Sequence, residues 1–149
     1  MGLINSILTW VMQKRIHQIE LFIKYPNEVQ EELFRKLIQT ARSTEFGLQY
    51  DFSSILSYEQ FKDRVPIQTY EKTFPYIERM MRGEQNILWP SEIKWFSKSS
   101  GTTNARSKFI PVSQEALDDC HFKGGKDLLS IYVNNCPETK LFDGKGLAV

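Results

Sequence analysis

The sequence contains few of the residues that mark several common classes of protein. Only two of its 149 residues are cysteines, Cys120 and Cys136, too few and too isolated for a disulfide scaffold or a zinc site. We expect both thiols to be reduced, as in a cytoplasmic protein. No apolar run is long enough to span a bilayer, so no membrane partner is expected. The net charge of +1 argues against nucleic acid as a partner, because phosphate backbones are bound by a basic excess.

Signatures of common catalytic and metal centres are also missing. The sequence has no paired carboxylates, no serine–histidine–aspartate arrangement and no metal-ligand spacing. His17 is predicted to lie on the surface of the first helix, and His121 to pack inside the last one. Trp89, Trp95 and Phe96 are predicted to pack in the core, although they could also border a substrate cavity.

The first part of the chain, about residues 1–90, has the periodicity of helices. Its first helix ends at Pro26, and a second runs from about Asn27 to Ser43. Ser57 begins a capping box for a short helix, and another helix runs from Thr69 or Phe74 to Arg82, with Gly83 as its C-cap. Apolar residues line one side of the first helix: Ile4, Ile7, Leu8, Val11, Ile19, Phe22 and Ile23.

The second part, about residues 91–149, begins with two strand-like runs, Ile93–Phe96 and Lys108–Val112. Ser113 is predicted to cap a helix that reaches Tyr132 and packs closely through Gly124–Gly125. The predicted inner stripe of this helix is Leu117, Cys120, Gly124, Leu128 and Ile131. A turn at Asp143–Gly146 then leads into a strand-like Leu147–Val149, from which we expect that the native sequence continues.

The loop between the two predicted strands combines small, hydroxyl-bearing and basic residues. Its centre is Ser99-Ser100-Gly101-Thr102-Thr103, and Lys108 follows. Glycine lets backbone N–H groups turn toward an anion, and hydroxyls with a lysine complete a phosphate cradle. No acidic residue occurs from Ile93 to Gln114, a window that holds Lys94, Lys98, Arg106 and Lys108. The loop is not a Walker A motif. The same composition also suits a hairpin loop that only solvates a turn.

These residues carry a resemblance to a known family. Phe96–Thr103, followed by Lys108–Val112, resembles the first core motif of the adenylate-forming superfamily. More narrowly, the chain is similar to the bacterial branch of the auxin-responsive Gretchen Hagen family of acyl-acid amido synthetases. Asn104 stands where the wider superfamily usually has glycine, and asparagine tolerates left-handed backbone geometry. The other matching segments are Val65–Ile67, Tyr70–Glu71, Pro75–Met80, Gly83–Glu84, Trp89–Pro90 and Lys140–Leu147.

The resemblance implies an α/β fold, in which a helical N-terminal region leads into the first strands of an adenylate-forming large domain of the acyl-CoA-synthetase type. Residues 1–149 would be the incomplete N-terminal part of that domain. It also implies a two-step reaction with ATP and Mg²⁺: adenylation of a carboxylic acid, then transfer of the acyl group to an amine such as an amino acid. The residues that would bind phosphate are Ser99, Ser100, Gly101, Thr102, Thr103 and Lys108, with Lys108 also catalytic.

Three functions therefore stay open on the sequence. The first is the amido synthetase, of which the isolated chain would be an inactive piece, because the acid and amine pockets would lie beyond residue 149. The second is a thioester-forming acyl-CoA ligase, which shares the adenylation step. The third is a non-catalytic helical interaction module. No protein ligand to a metal is predicted, and neither the acid nor the amine is identified.

Overall fold

The computed structural model describes residues 3–100 and 107–141, with side chains from residue 6 onward, and shows mainly helices with one small sheet. In chain order the elements are α1 (Leu3–Lys24), α2 (Pro26–Ala41), α3 (Glu45–Gln49), a 3₁₀ turn (Phe52–Ser54), α4 (Tyr58–Arg64), α5 (Tyr70–Met81), β1 (Trp95–Lys98), β2 (Phe109–Val112), α6 (Gln114–Ala116), a π-helical turn (Leu117–Phe122) and α7 (Lys123–Asn135). The chain divides into two compact units, one formed by Met1–Val29 with Asp118–Val149, the other by Gln30–Leu117.

The first unit is built on the pairing of α1 with α7. The Arg15 side chain, 6% exposed, donates from Nε and Nη2 to the two carboxylate oxygens of Asp127, at 2.5 and 2.9 Å. Gln18 accepts a further hydrogen bond from the same guanidinium. Ser130 and Val133 follow Asp127 at spacings of three residues and are buried. This bidentate ion pair links α1 to α7 at Arg15 and Asp127.

The inner stripe predicted for the last helix is wrong. Leu128 is 69% exposed, and Ile131 is exposed as well. Among the described residues, no atom beyond the immediate neighbours and the helix's own backbone lies within 4 Å of the positions that a Cβ would take at Gly124 or Gly125, so neither packs closely against another segment of them. The π-helical turn at Leu117–Phe122 is the physical reason. A π turn takes more residues than an α turn, so the positions after it are rotated relative to those before it.

The second unit contains two apolar clusters. The first is Ile38, Ala41, Phe52 and Ile55, and the second is Met80, Ile87 and Ile93. Trp89 packs against both clusters, and Phe96 packs against the second, as predicted for these two residues. Trp95, in contrast, is 63% exposed, so its predicted place in the core is wrong. The core of this unit therefore includes Ile87, Trp89 and Ile93, three residues of the segment that leads into the sheet.

The helix boundaries of the second unit follow their predicted capping residues. The Ser57 hydroxyl accepts from the backbone N–H of Gln60 and begins α4, although the Gln60 side chain returns to the N–H of Leu56. Thr69 caps α5 in the same way, and the chain leaves α5 at Gly83 with φ of +98°. Only glycine adopts that backbone conformation without strain. These predictions are confirmed.

Helix α3 and the 3₁₀ turn were not predicted. Thr44, which is completely buried, caps α3 by accepting from the Gly47 N–H at 3.0 Å. The next two donors, the N–H groups of Glu45 and Phe46, bond to carbonyls of Asn86 and Ile87 at 2.9 and 3.0 Å. A helix of five residues has little stability of its own. Its partners lie some forty residues away, and for that reason local sequence patterns do not reveal it.

The two strands pair antiparallel, with Trp95 opposite Val112 and Lys98 opposite Phe109. The first strand begins two residues later than predicted. Ile93 is instead buried in the second cluster, and its N–H donates to the Gln85 side chain at 2.9 Å. A backbone donor used in that way is not free for the strand ladder. The α/β prediction, with helices leading into a first pair of strands, is confirmed.

Candidate functional site

The predicted phosphate loop joins β1 to β2, and the structure shows how the two ends of that loop are held. The Ser99 N–H donates to the Lys108 carbonyl at 2.9 Å, and the Lys108 N–H donates to the Ser99 hydroxyl at 3.0 Å. The pair continues the strand ladder one step beyond Lys98 and Phe109. Two of the predicted site residues are therefore neighbours, fixed by the backbone of the hairpin.

The remaining predicted site residues divide into two groups. Ser100 is described and exposed. Gly101, Thr102 and Thr103 lie outside the described residues, and so do Asn104 and Arg106. The described part of the site therefore consists of the two ends of the loop.

The face of the hairpin follows from its register. Cross-strand partners point to the same side of a sheet, so Ser99 and Lys108 share a face with Trp95 and Ile110. Trp95 and Ile110 are 63% and 54% exposed, which makes this the open face of the sheet. The Ser99 oxygen accepts from the Lys108 N–H, so its own hydroxyl proton can donate to an anion. Ser99 and Lys108, one with a hydroxyl and the other with an ammonium, thus lie on the same accessible face.

The basic residues of the loop region differ in how far they are neutralised. Lys94 forms an ion pair with Glu92 at 2.9 Å, one residue outside the acid-free window. Lys108 is exposed, and its Nζ lies 5.1 Å from the centre of the Tyr70 ring. The carboxyl group of Glu71 has a lowered pKa, first because its own backbone N–H and the Thr69 side chain bond to it, and then because Lys108 attracts it. Lys108 is therefore a basic residue whose backbone is fixed beside Ser99 and whose ammonium lies near Tyr70.

Tyr70 is a functional candidate that the sequence patterns do not reveal. Its hydroxyl accepts from the Phe109 N–H at 2.8 Å, so helix α5 contacts the first residue of β2. The resemblance includes the dipeptide Tyr70–Glu71 among its matching segments, but it implies no role for either residue. The periodicity of a helix cannot indicate a contact with a strand 39 residues later.

The described residues suit a phosphate better than a bare metal ion. They include no group of three or more His, Cys, Asp or Glu side chains that could hold a metal. Ser99 and Lys108 instead offer donors, which bind phosphate oxygens.

A separate apolar cleft of about 270 Å³ lies beneath the sheet, lined by Met80, Leu88, Trp89, Ile93, Pro111, Ser113 and Ala116. The Trp89 indole nitrogen is buried without a hydrogen-bond partner among the described residues. Glu115, next in sequence to the lining residue Ala116, accepts from the Ser91 hydroxyl at 2.8 Å. Trp89 thus both packs in the core and borders a cavity, the two roles that its sequence position suggested.

The histidines and cysteines add no second site. The His17 side chain is 84% exposed and lies 3.4 Å from Glu20, which confirms its surface position. His121 is exposed beside the Phe122 ring, so its predicted packing inside the last helix is wrong. Cys120 and Cys136 are both free and exposed, as expected for unpaired thiols. None of the helices in the described part of the chain has the length and apolarity that a membrane crossing requires.

Comparison with known proteins places this geometry in context. The profile of a family described as "GH3 family N-terminal domain" matches residues 15–148. Indole-3-acetic acid-amido synthetase GH3.2 of Arabidopsis thaliana is 32% identical over 106 residues, which are 70% of this chain and 19% of that protein. Jasmonoyl–L-amino acid synthetase JAR4 of Nicotiana attenuata is 32% identical over 104 residues, 69% of this chain and 18% of that protein.

A solved structure shares the fold. The GH3.15 acyl acid amido synthetase superposes with a TM-score of 0.73 at 21% identity, over 83% of this chain and 22% of that one. The chain thus spans about a fifth of the length of the relatives that it matches.

Proposed function

The chain belongs to the GH3 family, and we propose that it is the N-terminal part of an ATP-dependent acyl-acid amido synthetase of the bacterial branch, acting in the cytoplasm. In this proposal the complete enzyme adenylates a carboxylic acid and transfers the acyl group to an amine such as an amino acid. Two relatives support it, since they are named as an indole-3-acetic acid-amido synthetase and a jasmonoyl–L-amino acid synthetase. Residues 91–149 would begin the sheet of the adenylating domain.

The observation that carries the proposal is the pairing of Ser99 with Lys108 at the open end of the hairpin. One backbone hydrogen bond, and one from the Lys108 N–H to the Ser99 hydroxyl, hold both residues at the ends of the strands, so little freedom is lost when an anion binds between them. Gly101 between hydroxyl-bearing neighbours would bring backbone N–H groups to the same phosphate. Because the Glu92 carboxylate is paired with Lys94, the charges that remain in the loop region are positive.

The proposed chemistry assigns a role to each of these groups. The carboxylate of the acid attacks the α-phosphorus of ATP, the bond to the β-phosphate oxygen breaks, and pyrophosphate leaves. Lys108 would offset the negative charge that develops on the phosphate oxygens, and Ser99, Ser100, Thr102 and Thr103 would orient the triphosphate. Mg²⁺ arriving with ATP would neutralise part of the phosphate charge. The acyl-adenylate then loses AMP when the amine attacks the acyl carbon.

The substitution Lys108→Ala in the full gene product tests the site. Removing one charged contact to a developing phosphate charge should slow adenylation by about 100- to 1000-fold. Because Lys108 is exposed, the thermal midpoint should change little. Exchange of labelled pyrophosphate into ATP, dependent on the acid, measures the rate. A folded variant that exchanges at the normal rate would remove Lys108 from the mechanism.

The product decides between the amido synthetase and an acyl-CoA ligase. With a carboxylic acid, ATP and Mg²⁺, we expect an amide when an amino acid is supplied and no thioester when coenzyme A is supplied. Mass spectrometry of the products distinguishes the two. Absence of pyrophosphate release with a broad panel of acids would instead favour the non-catalytic interaction module.

A further inference from the structure

The hydroxyl of Tyr70 occupies the open edge of β2. Because the N–H and C=O of Lys108 face Ser99 across the hairpin, the N–H and C=O of Phe109 face away from β1. Tyr70 meets both of them: its oxygen accepts from the Phe109 N–H at 2.8 Å and donates to the Phe109 carbonyl at 3.4 Å. An edge that would otherwise be unpaired is thus tied to the first turn of α5.

The ring of Tyr70 meets the residue before Phe109. Lys108 Nζ lies 5.1 Å from the ring centre, within the distance at which an ammonium is attracted to an aromatic face. The Phe74 ring packs against the Tyr70 ring, with 5.6 Å between the two ring centres. One half-buried side chain therefore contacts the backbone at Phe109 and the charged end of Lys108.

Glu71 adds a second contribution from the same helix turn. The pKa of its carboxyl group is lowered, first by its own backbone N–H, then by the Thr69 side chain, and further by the charge of Lys108. Thr69 is the N-cap of α5, so the residues that face the lysine are fixed by the start of one helix. A lysine side chain has four flexible carbons, and on an exposed strand end it would otherwise sample many positions.

We propose that Tyr70 is a positioning residue for Lys108: its hydroxyl holds the backbone of the next residue, Phe109, and its ring holds the lysine ammonium. This inference rests on the proposed function, because it assumes that the ammonium acts on phosphate. Lys108 needs such a residue, because a charge that stabilises a transition state must be in place before the reaction begins. Tyr70 does so from α5, outside the hairpin that carries the site.

Kinetics of the full gene product provide the first test. Tyr70→Phe keeps the ring and loses the edge hydrogen bonds, so kcat for pyrophosphate exchange should fall by less than about tenfold. Tyr70→Leu also loses the ring, and kcat should fall on the order of 100-fold, as for a catalytic group displaced by about 1 Å. KM for ATP should change by less than about threefold, since other groups bind the nucleotide. Tyr76→Phe is the matched control, because the Tyr76 hydroxyl bonds to Gln49 instead of to a strand.

A double variant separates positioning from a general effect on folding. In a Lys108→Ala background, Tyr70→Leu should lower kcat by less than about twofold more, because residues that act through each other are not additive. A full 100-fold further loss would show that Tyr70 acts by another route and would overturn the inference. Normal activity of Lys108→Ala alone would instead remove the proposed phosphate role of Lys108, which is a separate outcome.

A second measurement does not depend on activity. With lysines dimethylated by ¹³C-formaldehyde, the methyl signal of Lys108, assigned by its loss in Lys108→Arg, should be shifted upfield by the Tyr70 ring. The shift should persist in Tyr70→Phe and vanish in Tyr70→Leu. A signal that does not move in Tyr70→Leu would show that the ring does not hold the ammonium, and the inference would fall even if Lys108 is catalytic.

Discussion

At the scale of single residues, Gly47 shows how closely the chain returns on itself at the start of α3. The Thr44 hydroxyl and N–H donate to the Ala41 carbonyl at 2.7 and 3.0 Å, and the hydroxyl accepts from the Gly47 N–H, so three short-range contacts close a tight corner. A Cβ at Gly47 would lie 2.1 Å from the Ala41 carbonyl oxygen. Backbone atoms cannot give way as a flexible side chain can, so this position admits no side chain in the observed backbone.

Gly47→Ala should therefore lower the free energy of unfolding by about 3 kcal/mol, at the upper end of what overpacking costs. Gly124→Ala is the matched control. It lies in the first turn of α7, where no atom comes within 4 Å of the new Cβ, and should stabilise by about 0.5–1 kcal/mol. Denaturant midpoints of the full gene product compare the two. Equal midpoints for Gly47→Ala and the parent protein would contradict the packing described for α3.

At the scale of elements, the ion pair of Arg15 with Asp127 links α1 to α7 in the first unit. The Arg15 side chain is 6% and the Asp127 side chain 28% exposed, so little water competes for their hydrogen bonds. These hydrogen bonds, followed by the attraction of the guanidinium, lower the pKa of Asp127 below its ordinary value of 3.8. A carboxylate with a lowered pKa stabilises the fold at neutral pH and loses that contribution on protonation.

Asp127→Asn should reduce stability by about 2 kcal/mol at pH 7, because the charged hydrogen bonds from Arg15 are weakened. The pKa of Asp127 is lower in the folded than in the unfolded chain. The difference between parent and variant should therefore be complete above about pH 5 and shrink below about pH 4. Thermal melts of both proteins from pH 3 to 7 measure this. A difference that is independent of pH would mean that the pair contributes no charge interaction.

Glu31→Gln provides the control for that experiment. Glu31 and Arg35 form an i, i+4 pair on α2, but both side chains are more than 60% exposed. Exposed pairs of this kind contribute less than about 0.5 kcal/mol, so this variant should melt almost as the parent does.

At the scale of the whole molecule, the described chain leaves much apolar surface accessible. The open face of the sheet carries Trp95 and Ile110, and the helix α7 exposes Leu128, Ile131 and Tyr132. Within residues 3–100 and 107–141 the sheet has two strands, and small sheets need further partners to be stable. The chain also spans about a fifth of its relatives. These facts support the proposal that most of the adenylating site lies on other residues.

Expressed alone, residues 1–149 should therefore show no synthetase activity and should unfold with low cooperativity or aggregate. ATP and Mg²⁺ should shift the melt only slightly, because exposed phosphate contacts are screened by water and salt. Circular dichroism during heating, with and without the nucleotide, is the measurement. A sharp monomeric transition with amide synthesis would contradict the proposal. A sharp transition without activity or nucleotide protection would favour the interaction module.

Local chemistry in the sequence determined the helix ends and the position of the candidate loop. Ser57, Thr69 and Gly83 act within one turn of their own position, so their roles can be recognised from neighbouring residues alone. The composition around Gly101 favours a phosphate ligand but also suits a loop that only solvates a turn, and the phosphate assignment stays a prediction for Gly101, Thr102 and Thr103, which lie outside the described residues.

Tertiary structure decided the features whose partners are distant along the chain. The carbonyls of Asn86 and Ile87 allow α3 to form, and the Tyr70 hydroxyl reaches β2 at Phe109. The π-helical turn at Leu117–Phe122 decided which side of α7 is buried. In each case the free energy comes from hydrogen bonds or burial between segments that no local pattern relates, and a single inserted residue rotates every later side chain of a helix.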